Sequence, residues 1–156
     1  MKDVTSLKFR EAGLTLFAGN MKGEVVEWQY ETNRLINSWT ASSGPVRATV
    51  SRGTTVISSG DDGTIRVHDR SQTKPQILQG HTEAVLALAI SADGKGLLSA
   101  DQKGELRLWN FAEGILIHAW QGQPVAVHAI CFSSDGRRAI SAGADNTVHI
   151  WQLPFY

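Results

Sequence analysis

Five histidines and one cysteine are the side chains of this 156-residue sequence whose types suit metal binding or nucleophilic catalysis. They are His68, His81, His118, His128, His149 and Cys131. A zinc site needs ligands spaced by one helical turn or a short loop, and no pair of histidines has either spacing. Cys131 and His128 are three residues apart on a predicted strand, so their side chains point to opposite faces. We therefore expect no metal, no other cofactor and no catalytic residue.

Two further patterns that suggest ligand chemistry are incomplete. Asp61, Asp62 and Gly63 resemble the start of a calcium-binding loop, but the glutamate that such a loop needs at position twelve is missing. No glycine-rich phosphate loop occurs. No small-molecule substrate is predicted, and an enzyme is only a remote alternative.

The charge balance gives no sign of a polyanionic partner. Lys plus Arg and Asp plus Glu number 15 each, so no overall field draws the chain to nucleic acid or to an anionic membrane. Arg137 and Arg138 follow Asp135 and Gly136 in a predicted hairpin, which is typical of a solvated turn. We expect no membrane partner, and an RNA-binding protein is a second remote alternative.

The elements that must position these residues come from an internal repeat. The segment Asp61–Asp69 returns as Lys103–Asn110 and again as Asp145–Gln152, and Glu24–Trp28 is a divergent first copy. The copies end on the anchors Trp28, His68, Trp109 and Trp151, which are 40, 41 and 42 residues apart. Short aliphatic runs bounded by Gly, Asp and Ser predict strands throughout, and helical periodicity is absent.

The third copy identifies the family that this repeat resembles. It opens on Gly80-His81, has a turn at Asp93-Gly94, continues through Ser99 and closes on Trp109, and these features resemble the WD-repeat β-propeller family at the expected offsets. The resemblance covers nearly the whole chain. It implies an all-β propeller with four consecutive four-stranded antiparallel blades in one WD-repeat domain at residues 1–156. The blades are expected at about residues 1–41, 42–80, 81–121 and 122–156.

The strands of each blade can be assigned on this basis. The innermost strands are predicted at Val4–Phe9, Val46–Val50, Val85–Ile90 and Val127–Phe132. The second strands are predicted at Leu14–Ala18, Thr54–Ser58, Gly96–Ser99 and Arg138–Ser141. Third strands end on the four anchors. Outer strands are predicted at Leu35–Trp39, Pro75–Gln79 and Ile115–Trp120, and the fourth blade lacks one.

In the family, a buried network of His, Ser or Thr, Asp and Trp stabilises each blade. By position, the resemblance assigns to this structural network Ser58, Ser99, Ser141, Asp62, Asp145, His81, His68, Trp28, Trp109 and Trp151. We expect no blade to have all four members, because lysine replaces the turn Asp at positions 22 and 103 and the opening His occurs only as His81. Cys131 matches Ala89 in the preceding blade, which predicts a buried, inert thiol.

The family binds its ligands on the face formed by the turns between second and third strands and by the loops that enter the inner strands. Transferred by position, the resemblance implies partner contacts at Met21, Lys22, Asp61, Glu83, Gln102, Lys103, Val125 and Ala144. Charges of both signs alternate around this face, which suits a protein surface better than a polyanion.

Four blades of this type describe an open arc, or half-propeller, more naturally than a ring. An arc leaves one apolar face of the first blade and one of the last uncovered, and such patches mark interaction surfaces. The unpaired strand Thr147–Trp151 is a further edge that can accept a strand. We expect a non-catalytic protein-protein interaction or scaffolding subunit that completes its propeller as a homo-oligomer or with a partner protein. The alternative is a fragment of a longer WD-repeat protein.

The expected cellular location follows from two features. The single cysteine cannot form an internal disulfide, and the first residues have no secretory leader. Both are typical of a protein of a reducing compartment, and we expect the cytoplasm.

Overall fold

The computed structural model describes residues 2–10, 14–122 and 124–154. These residues form fifteen strands in four antiparallel sheets, of which three have four strands and the last has three. None of the described residues forms a helix long and apolar enough to cross a membrane. The predicted all-β propeller architecture is therefore confirmed.

Each sheet is one blade, and its strands are neighbours in chain order. Blade 1 contains β1 Val4–Phe9, β2 Thr15–Asn20, β3 Glu24–Gln29 and β4 Arg34–Thr40. Blade 2 contains β5 Val46–Arg52, β6 Thr55–Gly60, β7 Ile65–Asp69 and β8 Gln76–Leu78. Blade 3 contains β9 Val85–Ile90, β10 Gly96–Asp101, β11 Glu105–Asn110 and β12 Ile115–Gln121. Blade 4 contains β13 Val127–Phe132, β14 Arg138–Gly143 and β15 Val148–Gln152.

The observed strands lie close to the predicted ones, with two systematic differences. Each second strand continues two residues beyond its predicted end, because the cross-strand pairing persists up to the turn. The outer strand β8 is only three residues long. It begins after Pro75, which has no backbone N–H to donate to a ladder.

The turns between second and third strands need one residue with positive φ. Gly23, Gly63 and Gly104 supply it in blades 1, 2 and 3, with φ of 82°, 71° and 83°. Asn146 takes the same place in blade 4 with φ of 59°, a conformation that Asn tolerates better than most residues with a side chain. The four turns therefore keep one geometry although their sequences differ.

The hydrophobic core is divided among the contacts between blades. The inner strands pack in the order β1, β5, β9 and β13, and three clusters of buried apolar side chains lie between blades 1 and 2, 2 and 3, and 3 and 4. The central strand β10 is buried at every position, because its blade has neighbours on both faces. Within the described chain, β13 does not pack on β1 as the other inner strands pack on one another, so the expected open arc is confirmed.

Candidate interaction face

The residues predicted to contact a partner lie along one end of the strands. Met21, Asp61, Gln102 and Ala144 occupy equivalent positions directly after the second strands, and all four are exposed. We call this end of the blades the rim, and it also contains Lys22, Lys103, Glu83 and Val125. Lys22 and Lys103 are exposed, whereas Glu83 and Val125 are partly buried.

One backbone hydrogen bond recurs in every blade and holds the rim together. The N–H of the residue after each second strand donates to a carbonyl of the loop that enters the inner strand. The four bonds are Met21 to Asp3 at 3.0 Å, Asp61 to Pro45 at 3.1 Å, Gln102 to Ala84 at 2.9 Å and Ala144 to Ala126 at 2.9 Å. The turns and the entering loops, which the resemblance assigned to one face, are thus joined within each blade.

Two ion pairs neutralise much of the charge on the rim. Arg47 holds Asp61 through two bonds, Nε to Oδ1 at 2.5 Å and Nη2 to Oδ2 at 2.8 Å. The Lys103 ammonium pairs with the Glu83 carboxylate. The sequence prediction did not include Arg47, because this residue lies on the inner strand β5 and not in a turn.

A pocket of about 440 Å³ opens where the inner strands face the axis of the arc. It is lined by Thr5, Arg47, Leu86 and His128, which are equivalent positions on β1, β5, β9 and β13, and by Gln102 and Ala126 at the rim. The pocket joins residues that are about 40 positions apart in sequence. The repeat could have revealed it, because the same strand position faces the axis in every blade.

The structural network is complete in blade 3, contrary to the prediction that no blade would have all four members. Trp109 Nε1 donates to Ser99 Oγ at 2.9 Å, and Ser99 Oγ lies 2.7 Å from His81 Nε2. His81 Nδ1 lies 2.9 Å from Asp101 Oδ2. Asp101, at the end of β10, therefore replaces the aspartate that Lys103 displaces from the turn.

The His81 network is satisfied by a neutral imidazole. Burial lowers the pKa of His81, although Asp101 opposes the shift. With Nδ1 protonated, His81 donates to Asp101 and accepts from the Ser99 hydroxyl, which in turn accepts from the Trp109 indole. Glu105 Oε2 lies 3.6 Å from the same Nδ1, so His81, Asp101 and Glu105 form a cluster of possible metal ligands. Both ring nitrogens already have hydrogen-bond partners, and the cluster has a structural explanation.

Blade 2 shows the consequence of replacing the anchor Trp with His68. Ser58 Oγ and His68 Nε2 are both buried, and neither has a hydrogen-bond partner. The prediction that these residues form a network is therefore wrong for this blade. The shorter imidazole does not reach the hydroxyl that an indole N–H reaches in blade 3. Burial, with a smaller contribution from Arg66, lowers the pKa of His68 to about 4.

Blades 1 and 4 have partial networks. Trp151 Nε1 donates to Ser141 Oγ at 2.9 Å in blade 4. In blade 1 the position equivalent to that serine is Ala18, so Trp28 lacks the corresponding partner. Asn20 caps the turn of blade 1, since its Oδ1 accepts the N–H groups of Lys22 and Glu24. Asp101 Oδ1 caps the turn of blade 3 in the same way, by accepting the N–H groups two and four residues later.

The two remaining aspartates of the predicted network cap their own turns. Asp62 accepts from the N–H groups of Ser43 and Thr64 and from Arg66. Burial works to raise the pKa of Asp62, but these hydrogen bonds outweigh it and lower the pKa to about 2. Asp145 accepts from Thr147 N–H at 3.0 Å and lies 3.2 Å from His149 Nε2.

Cys131 is exposed, which corrects the prediction of a buried thiol. Its equivalent in blade 3, Ala89, is partly buried because blade 4 packs against it. The face of blade 4 that contains Cys131 has no such neighbour. The sequence match between the two positions was right, but the burial depends on the next blade.

Comparisons with known proteins agree with this geometry. The family model of the WD domain, G-beta repeat (WD40), matches residues 33–69, 72–110 and 114–152. Each match begins at or before the outer strand of one blade and ends with the third strand of the next. Each sequence repeat therefore begins with the outer strand of one blade and ends in the next blade, so that one repeat links two consecutive blades.

Among curated relatives, apoptotic protease-activating factor 1 of Rattus norvegicus is 32% identical over 106 residues, which cover 66% of this chain and 8% of the relative. Striatin of Mus musculus is 38% identical over 94 residues, which cover 50% of this chain and 12% of the relative. The chain thus spans only a small part of the length of these relatives.

Two solved structures have the same fold. The computationally designed Ika4 protein matches with a TM-score of 0.87 and 24% identity, covering 99% of this chain and 94% of that one. The computationally designed Ika8 protein matches with a TM-score of 0.85 and 25% identity, covering 96% of this chain and 46% of that one.

The serine of the network should matter in blade 3 and not in blade 2. We expect Ser99→Ala to lower the free energy of unfolding by about 1–3 kcal/mol, because it leaves His81 Nε2 and Trp109 Nε1 without a partner. Ser58→Ala removes a hydroxyl that has no hydrogen-bond partner, so its effect on the free energy of unfolding should stay within about 0.5 kcal/mol. Urea denaturation of both variants measures the difference. Equal losses would contradict the assignment.

His68 should make stability depend on pH in a defined window. Its pKa of about 4 lies below the ordinary 6.5, so the unfolded chain takes up a proton first as the pH falls. The contribution of neutral His68 to the free energy of unfolding is complete above pH 6.5, and it is lost as the pH falls from there towards 4. We expect His68→Trp to remove part of the decrease in melting temperature between pH 6.5 and pH 4, and His81 to account for the remainder. A cavity of about 220 Å³ beside His68 gives the indole room. An unchanged pH profile would contradict this prediction.

Proposed function

The chain belongs to the WD domain, G-beta repeat family, and from this premise we propose that it is a non-catalytic protein-protein interaction or scaffolding subunit. The observation that carries the proposal is the rim. It presents a different exposed side chain from each blade on a backbone that the same hydrogen bond fixes four times. A rigid platform with variable side chains is suited to recognising a folded protein surface.

The electrostatics of the rim support a protein partner in preference to a polyanion. Asp61 is paired with Arg47, and Lys103 is paired with Glu83. Pairs of this kind leave little net field but preserve hydrogen-bonding groups that fix orientation. The adjoining polar pocket, which contains Arg47 and His128, can receive a side chain that projects from the partner.

The chemistry of the described histidines supports a non-catalytic role. His81 has hydrogen bonds at both ring nitrogens, and burial keeps His68 neutral. His128 lines the pocket at the axis of the arc, whereas Cys131 lies opposite Ile140 within the blade 4 sheet. Within the described residues these groups provide no activated nucleophile with an adjacent base.

The proposal includes completion of the propeller by another copy or by a partner protein, since the first and last blades each have an uncovered apolar face. A second form of the proposal is that the four blades work as part of a longer WD-repeat chain. The short matched segments in much longer relatives are compatible with it. For the location we propose the cytoplasm, where the single exposed thiol of Cys131 would stay reduced.

Substitutions on the rim should weaken partner binding, while matched substitutions at the opposite end of the strands should not. The rim variant is Met21→Asp with Lys103→Glu. The control is Leu14→Asp with Lys95→Glu, which changes one apolar residue and one lysine in the same two blades but before the second strands. Affinity capture from an extract of the source cells, quantified by mass spectrometry, identifies proteins that the control retains and the rim variant loses.

Calorimetry with the purified partner then measures the effect. We expect the rim variant to weaken binding about tenfold or more, equivalent to about 1.4 kcal/mol, and the control to remain within about twofold. Thermal melts of both variants show that the fold is intact. Equal binding by both variants, or equal loss, would contradict the proposed role of the rim.

A further inference from the structure

Blade 4 has an apolar face that no other part of the described chain covers. Its members share one side of the sheet, since Cys131 is opposite Ile140 and Ile140 is opposite Ile150. Val148 is 67% and Ile150 is 66% exposed. We call this the blade 4 open face, and it consists of Ala129, Cys131, Ile140, Ala142, Val148 and Ile150.

The same face of blade 3 is an inter-blade contact. The equivalent residues lie 42 positions earlier and are Ala87, Ala89, Leu98, Ala100, Leu106 and Leu108. Leu106 and Leu108 are fully buried, and they share a hydrophobic cluster with Ile130, Ala139 and Leu153 of blade 4. The blade 4 open face is therefore the surface that receives a following blade.

Blade 1 presents the complementary surface. We call it the blade 1 open face, and it consists of Leu7, Phe9, Leu16, Ala18, Val26 and Trp28. Leu7 is 66% and Phe9 is 64% exposed. The equivalents of these residues in blade 3 lie 81 positions later, and three of them, Leu88, Leu97 and Trp109, are buried against blade 2. The blade 1 open face is therefore the surface that a preceding blade covers.

The blade 1 open face is also more apolar than its internal equivalents. Blades 2 and 3 have a serine and an arginine at the positions where blade 1 has Ala18 and Val26. In blade 3 the two residues are Ser99, which belongs to the buried network, and Arg107, which pairs with Glu105. Their loss in blade 1 removes polar groups that a contact formed between separate molecules would have to desolvate.

We infer that the blade 4 open face of one copy packs on the blade 1 open face of a second copy, and that a twofold axis repeats this contact to close a ring of eight blades. The inference rests on the proposed function and names one partner for it. One chain thus presents both halves of a single inter-blade contact. A head-to-tail pair repeats the interfaces that join blade 1 to blade 2, blade 2 to blade 3 and blade 3 to blade 4. Two copies joined by this contact close a ring if the four blades of each copy span half a turn.

The open arc excludes a closed ring of only four blades. Eight blades need about 45° each, whereas closure of four blades on themselves needs about 90°, and blade 4 does not pack on blade 1 in this chain. The four blades also match only 46% of the designed Ika8 chain, so this arrangement occurs as part of a longer structure.

The internal contacts predict which residues meet across the new interface. Val67 and Leu88 share the cluster between blades 2 and 3, and Leu108 and Ile130 share the one between blades 3 and 4. The equivalent pair between copies is Ile150 of one chain and Leu7 of the other. A substitution at either position should therefore break the same contact.

Light scattering on a size-exclusion column tests the pair directly. The purified chain has a mass of 17.0 kDa, and we expect a species at twice that value. Ile150→Lys and Leu7→Glu should each reduce it to the mass of one chain. Ile115→Lys is the control, because Ile115 is 57% exposed on the outer strand of blade 3, away from both open faces, and it should leave the pair intact.

Mixing Ile150→Lys with Leu7→Glu distinguishes a head-to-tail pair from other arrangements. A mixed pair has one unchanged contact and one in which the introduced lysine of the first variant meets the introduced glutamate of the second, so the double mass should return. The alkylation rate of Cys131 is an independent readout, since the thiol lies on the blade 4 open face. It should be at least about tenfold slower in the pair than in Ile150→Lys.

Three results would overturn the inference: an unsubstituted chain that remains at 17.0 kDa, an open polymer, or dissociation by Ile115→Lys as readily as by Ile150→Lys. Thermal melts of each variant exclude unfolding as the cause. These experiments use the chain alone. A monomer that still binds its partner through the rim would refute the pair and leave the proposed function, whereas a stable pair with no rim-dependent partner would do the reverse.

Discussion

The packing of one blade on the next is the interaction on which the rest of this structure depends. A sheet with two apolar faces cannot be stable in water by itself, and each blade here has two such faces. The strand β10 is buried along its whole length only because blades 2 and 4 cover blade 3. The blades are thus units of one cooperative stack, in the way that repeat proteins gain stability from neighbour contacts. The first and last faces of the stack are where this stabilisation is missing.

The polar networks have a different role, since the fold tolerates their loss. Blade 3 has a complete chain from Trp109 through Ser99 and His81 to Asp101, whereas blade 2 leaves Ser58 without a partner. Both blades nevertheless have the same strand order and pairing. Hydrophobic contact between blades therefore determines the architecture, and the networks add stability and a fixed register to individual blades.

Most of the fold could be predicted because the repeat period, the turn residues and the alternating strands all point to the same arrangement. The inner strands β1, β9 and β13 have the predicted bounds. The errors have one common cause, which is that a position in the repeat does not determine its neighbours. Asp101 replaced an aspartate two residues away, and His68 occupied an anchor position without making the anchor's bond. Cys131 matched a partly buried alanine, Ala89, but lacked the covering blade. The pocket around Arg47 and His128 needs four strands to meet, so no single repeat contains it.

The rim and the strands of each repeat place different requirements on their side chains. The hydrogen bond that joins each turn to its entering loop uses only backbone atoms, so it places no requirement on the side chain that follows the second strand. Met21, Asp61, Gln102 and Ala144 are accordingly one apolar, one acidic, one amide and one small residue at equivalent sites. By contrast, Ile57 and Leu98 occupy equivalent strand positions, are both apolar and fully buried, and belong to clusters between neighbouring blades. Packing therefore constrains the side chains of the strands, whereas the backbone geometry of the rim allows its side chains to differ.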